Sequence, residues 1–129
     1  SNLQKINAMI SVTQFLNDKM DGILRMERDN EDLVHLFHVN GSWSAVEKSA
    51  YYLSQMTDCN VITLLAQGQD NSTNGQIVLA SVSDELLGEA GKEYSVVWQG
   101  DDYLVLRPKN IPTKYSEWHL ANLVDDDED

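Results

Sequence analysis

Leu33-Val34-His35-Leu36-Phe37-His38-Val39, followed by Asn40-Gly41 and a helix-forming stretch that begins near Trp43, decides how the chain is read. Alternation along this run sets Leu33, His35, Phe37 and Val39 on one face and Val34, Leu36 and His38 on the other. Both faces are mainly apolar, the pattern of a strand near the middle of a covered sheet. Asn-Gly closes it with a tight turn. Ser44 with Glu47 three residues on spells a capping box, and Val46, Ala50, Leu53 and Met56 recur at helical spacing. The spacing therefore predicts a crossover helix over 44–57.

Upstream, the apolar residues between Leu3 and Met26 recur every three or four positions, which predicts a long amphipathic helix over 3–28 with a weak point at Gly22. Such a helix either packs on its own sheet or joins two copies in a homodimer. Downstream, strands are expected at 60–67 and 76–82, with a polar loop at 68–75 between them. Ser83 is placed to cap a short helix over 84–90. Residues 94–98 and 103–107 flank Gln99-Gly100-Asp101-Asp102 as a β-hairpin, and a last short helix holds Trp118, Leu120 and Leu123. The expected fold is a single α/β (α+β) domain over 1–124 with a mixed sheet of about five strands. If the crossover helix joins neighbours, the first two strands run parallel. Asp125-Asp126-Asp127-Glu128-Asp129 is expected to be a disordered acidic tail.

The charge balance is the unusual feature: 21 acidic against 9 basic residues give a net −12. Without the charges of the tail the body is still acidic. Such a surface repels phosphate backbones and anionic membranes, and the basic residues form no stripe that would offset it, so direct nucleic-acid binding is disfavoured. A basic protein is the partner such a surface suits. The single cysteine, Cys59, forms no internal disulfide, and no apolar run is long enough to span a bilayer, so a reduced, cytoplasmic location is expected. Ser1-Asn2 in place of Met reads as a remnant of tag removal.

No residue pattern spells a catalytic, cofactor or phosphate site. His35 and His38 fall on opposite faces of a strand and so do not close on one metal. Cys59 lies between a helix and a strand, where a small buried thiol is commonplace. Asp101 and Asp102 sit at a hairpin tip. The candidate ligand- or partner-binding residues are Trp43, Tyr51, His38, Asp101 and Asp102, with no catalytic residue, metal or cofactor assigned.

Leu36-Phe37-His38-Val39-Asn40-Gly41-Ser42-Trp43, then Ser49-Ala50 and Leu53 on a helix, then a strand, resembles the opening of the N-terminal domain of the DNA mismatch-repair protein MutS, over about residues 33–67. The resemblance implies a strand–turn–helix topology, with Trp43 at the place of the aromatic residue that wedges beside a mismatched base. Ala45 stands where that family has the glutamate that bonds the base, and the acidic surface opposes DNA. The expected function is a non-enzymatic module that binds a basic protein, as an inhibitor, an immunity protein or a nucleic-acid mimic would. The alternative is a small-molecule-binding or enzymatic domain with a pocket near Trp43, Tyr51 and His38. A nucleic-acid-binding relative of the mismatch-repair domain stands third.

Overall fold

A computed structural model describes residue 19, residues 21–65 and residues 75–124. The earlier part of the expected N-terminal helix, the strand end at 66–67, most of the loop at 68–75 and the acidic tail lie outside the described residues. The chain forms helix α1, described at residue 19 and over 21–28, then strands β1 (Val34–Val39) and β2 (Ser42–Val46). Helix α2 (Glu47–Met56), β3 (Asn60–Leu65) and β4 (Gln76–Val82) follow. Helix α3 (Asp84–Glu89), β5 (Tyr94–Gln99), β6 (Tyr103–Pro108) and α4 (Tyr115–Asn122) complete the order. The α/β class stands, and the described strands form one sheet of six in the order β3-β4-β2-β1-β6-β5.

Two expectations are corrected together. Every neighbouring pair in the sheet is antiparallel, so the sheet is not mixed. The predicted helix over 44–57 begins only at Glu47, because Ser42–Val46 forms a strand of its own. Asn40 and Gly41 both have positive φ, 53° and 83°, and Val39 faces Ser42 across them. That is the primed two-residue turn whose twist matches a hairpin, so the chain reverses into β2 before any helix starts. Helix α2 still crosses over, but it links β2 to β3, with β4 antiparallel between them. Gly41 has open space where a Cβ would sit, so Gly41→Ala tests backbone strain alone. It is expected to lower stability by about 1 kcal/mol in urea unfolding, and an unchanged midpoint would contradict that.

β1 is covered on both faces, as its sequence implies. Val34 and Leu36 are fully buried with Leu53, Tyr51 and Tyr52 of α2 and with Leu104 and Leu106. On the opposite face, Ile23 of α1 packs with Val46, Ile77 and Leu79, and Phe37 lies against that cluster. The described part of the N-terminal helix thus packs on its own sheet. No described helix is long and apolar enough to cross a membrane.

Candidate functional site

The strand register gathers one end of the sheet. Phe37 faces Tyr103, Trp43 faces Val82, Asn60 faces Ser81 and Gln99 faces Leu104, which brings together the turns after β1, β4 and β5 and the approach to β3. Asp58, Asp84, Glu85, Asp101 and Asp102 are exposed there. The segments that build this end, 38–43, 57–60, 81–86 and 99–103, contain no Lys or Arg.

Within it His38 and Trp43 meet. They are cross-strand partners in the β1–β2 hairpin, and their rings make an edge contact with centroids 4.7 Å apart. The indole Nε1–H of Trp43 donates to Asp84 Oδ1 at 2.6 Å, and His38 Nε2 lies 3.7 Å from the same oxygen. Asp84 is presented by α3, whose N-terminus is capped by the Ser83 hydroxyl accepting from Leu86 N–H at 3.1 Å. The His38 amide donates to the Asp102 carbonyl at 2.9 Å, tying the β5–β6 turn to β1. Of the five candidate residues, His38, Trp43 and Asp102 are therefore brought together, and Asp101 lies in the same turn. Tyr51 is elsewhere: it is buried in the core, where its hydroxyl accepts from the Lys114 amide at 2.8 Å. Asp84 was missed, because the Ser83 cap marks a helix start and carries no sign of what the helix meets.

Beside this cluster is a shallow, open cavity of about 320 Å³ lined by Ser42, Asp58, Cys59, Ser81, Ser83 and Leu86 among others. Burial, and then the charge of Asp58, push the Cys59 thiol up, which favours the protonated and non-nucleophilic form. Among the described residues no three His, Cys, Asp or Glu side chains are placed to hold a metal ion.

A second polar cluster is buried between α1, α2 and β1. Glu27 Oε1 accepts from the Ser49 amide at 2.9 Å and from Asn30 Nδ2 at 3.2 Å, and Oε2 accepts from the Ser49 hydroxyl at 2.5 Å. The Ser49 oxygen in turn accepts from the His35 amide at 2.9 Å. Because Val46 offers no side-chain cap, Glu27 supplies the cap of α2 from a different helix. Burial raises its carboxyl to about 7 against the pull of these donors, and the charge of Glu47 adds to the rise. Its donors and acceptors face one another, which ties α1 to the start of α2 and to β1. His35 Nδ1 lies 2.6 Å from the Tyr103 hydroxyl, and burial lowers the imidazole below its ordinary value, which favours its neutral form.

The fold is thus a six-stranded antiparallel sheet with helices on both faces and an acidic end. Compared with family models, curated proteins and solved structures, the chain finds no match in any of the three.

Proposed function

We propose that the chain is a non-enzymatic interaction module whose acidic sheet end docks a basic protein, in the manner of an inhibitor, an immunity protein or a nucleic-acid mimic. One observation carries the reading: five exposed carboxylates share the sheet end that His38 and Trp43 occupy, and no Lys or Arg from the segments building that end offsets them. The Trp43–Asp84 bond and the Asp102–His38 backbone bond fix part of this surface before any partner arrives, which lowers the ordering cost of binding. A reduced, cytoplasmic setting agrees with the single cysteine.

The test is a pulldown from source-cell lysate at low salt and at roughly 0.5 M, where exposed charges are screened beyond a few ångströms. A basic protein retained at low salt, lost at high salt, and lost at low salt by the Asp58→Asn/Glu85→Gln variant is expected. Retention indifferent to both changes would sink the reading. The cavity beside Cys59 favours a second reading, a small-molecule site, and a ligand-induced rise in melting temperature across a metabolite panel would select it.

A further inference from the structure

The sheet has two terminal strands, and they are not alike. Against β3 lies the end of α4, since the Thr63 hydroxyl donates to the Asn122 carbonyl at 2.5 Å. β5 is paired with β6 on one side and, among the described residues, with nothing on the other. Its six residues, Tyr94-Ser95-Val96-Val97-Trp98-Gln99, carry no charge, and Val96, Val97 and Trp98 are 54, 44 and 54% exposed. Natural edge strands usually guard themselves with an inward charge, a lysine or a proline, and β5 has only a bulge at Val97.

The phase of the ladder fixes which peptide groups are free. Lys109 N–H donates to the Glu93 carbonyl, so the pair after it alternates, and Tyr94 and Val96 turn their backbone N–H and C=O away from β6. Pro108, which has no N–H to give, stands opposite Tyr94 as this phase requires. Trp98 is exposed yet positioned. Its ring lies over Gly100, where a Cβ would come within 2.5 Å of it, and packs on Tyr103 with centroids 5.6 Å apart.

The charges around the strand say what fits the edge. Lys92, Lys109 and Glu93 are exposed at the end where β5 begins, which leaves it net positive, and Asp101 and Asp102 are exposed just past where it finishes. None of these five makes an ion pair among the described residues. A uniformly basic segment laid along β5 would meet the two lysines. A second β5 laid antiparallel meets opposite charge at both ends.

We infer that β5 is the pairing edge of a homodimer, in which a second copy of this chain adds its own β5 antiparallel across a twofold axis at Val96. Val96 then faces its symmetry mate, Tyr94 of each copy lies opposite the Val97–Trp98 bulge of the other, where the new ladder ends, and Lys92 of each reaches the Asp101-Asp102 turn of its mate. The two sheets become one, and the two acidic ends point in opposite directions. Such a contact is isologous and closes on itself, so it makes a dimer and no fibre.

Sedimentation velocity of the full chain over about 10–100 µM tests this, at a salt near 0.15 M that leaves short-range ion pairs in force. The expected species has twice the 14.6 kDa mass of one chain. Val96→Lys, a change at an exposed position, should return it to the monomer. Lys92→Glu should weaken the dimer about tenfold through like charges at both ends, and Lys92→Glu combined with Asp101→Lys in the same chain should restore it. A monomer throughout the range, or a dimer that survives Val96→Lys, overturns the inference. Should Val96→Lys fail to fold, the charge swap decides alone, and failure of the rescue overturns the antiparallel register.

Discussion

Glu27→Gln is expected to stabilise the protein at pH 8, by on the order of 2 kcal/mol, and to leave it close to wild type at pH 5. In the folded chain burial holds the Glu27 proton up to about pH 7, whereas the unfolded chain releases it near the ordinary 4.5. Between those values the folded state binds more protons, so stability is present at acid pH and is lost as pH rises through 7. Glutamine mimics the protonated acid: its oxygen accepts from the Ser49 amide and Asn30, and its amide donates to the Ser49 oxygen, whose own hydrogen, donated to Glu27 in the wild type, turns to the Leu33 carbonyl. Other carboxylates are common to both chains, so the difference between their two stability curves isolates Glu27. Parallel curves from pH 5 to 8 would refute the assignment. Glu27→Ala is different, because it orphans the Ser49 amide and hydroxyl and loosens Asn30. It should cost on the order of 4 kcal/mol at pH 5 and much less at pH 8, where the wild type bears an ionised buried carboxylate.

Glu47 gives the second large effect. It starts α2 directly where β2 stops, at φ 53°, a backbone region that costs an ordinary residue about 1–2 kcal/mol. What holds it there is the side chain. Its Oε2 accepts from the Val78 amide at 3.2 Å, a group that β2 leaves unpaired by turning away, and it meets His119 Nε2 of α4 at 2.8 Å. Glu47→Ala keeps the strain and loses both partners, and an expected cost of about 3 kcal/mol follows. Glu47→Gly loses the same partners but relieves the backbone, so it should be less harmful by about 1 kcal/mol. Urea unfolding ranks the variants, and amide exchange across Tyr115–Asn122 should quicken in both. Equal stabilities for the Ala and Gly forms would show that the backbone at 47 is unstrained.

These two residues also mark what the sequence could convey. The two-faced strand at 33–39, the strand at 76–82 and the hairpin after Tyr94 were legible, because each has a strong alternating or fully apolar pattern bounded by turn residues. β2 was not. Ser42-Trp43-Ser44-Ala45-Val46 is short, its serine and Glu47 imitate a helix cap, and Val46 shares helical spacing with Leu53. The Asn-Gly pair was the stronger signal, and reading it as a hairpin turn would have supplied the missing strand and the antiparallel sheet. The Glu27–Ser49 cap left no local trace, since its partners stand 22 residues apart and each looks like an ordinary surface polar residue. The acidic sheet end was half legible: His38, Trp43, Asp101 and Asp102 were singled out, but Asp84 joins them only through the register of β2 with β4.

The central pairing of β1 with β6 has a consequence for biogenesis. Val34 meets Leu106 there, so β1 is paired on that side only by a strand that comes much later in the sequence. During synthesis β1, with Val34, Leu36 and Phe37, waits as a bare apolar edge until residues 103–108 have emerged. A ribosome adding about 5–20 residues per second leaves that edge open for several seconds. Nascent chains are therefore most prone to associate wrongly in that interval, and the contact that ends it is also the long-range one expected to limit the folding rate.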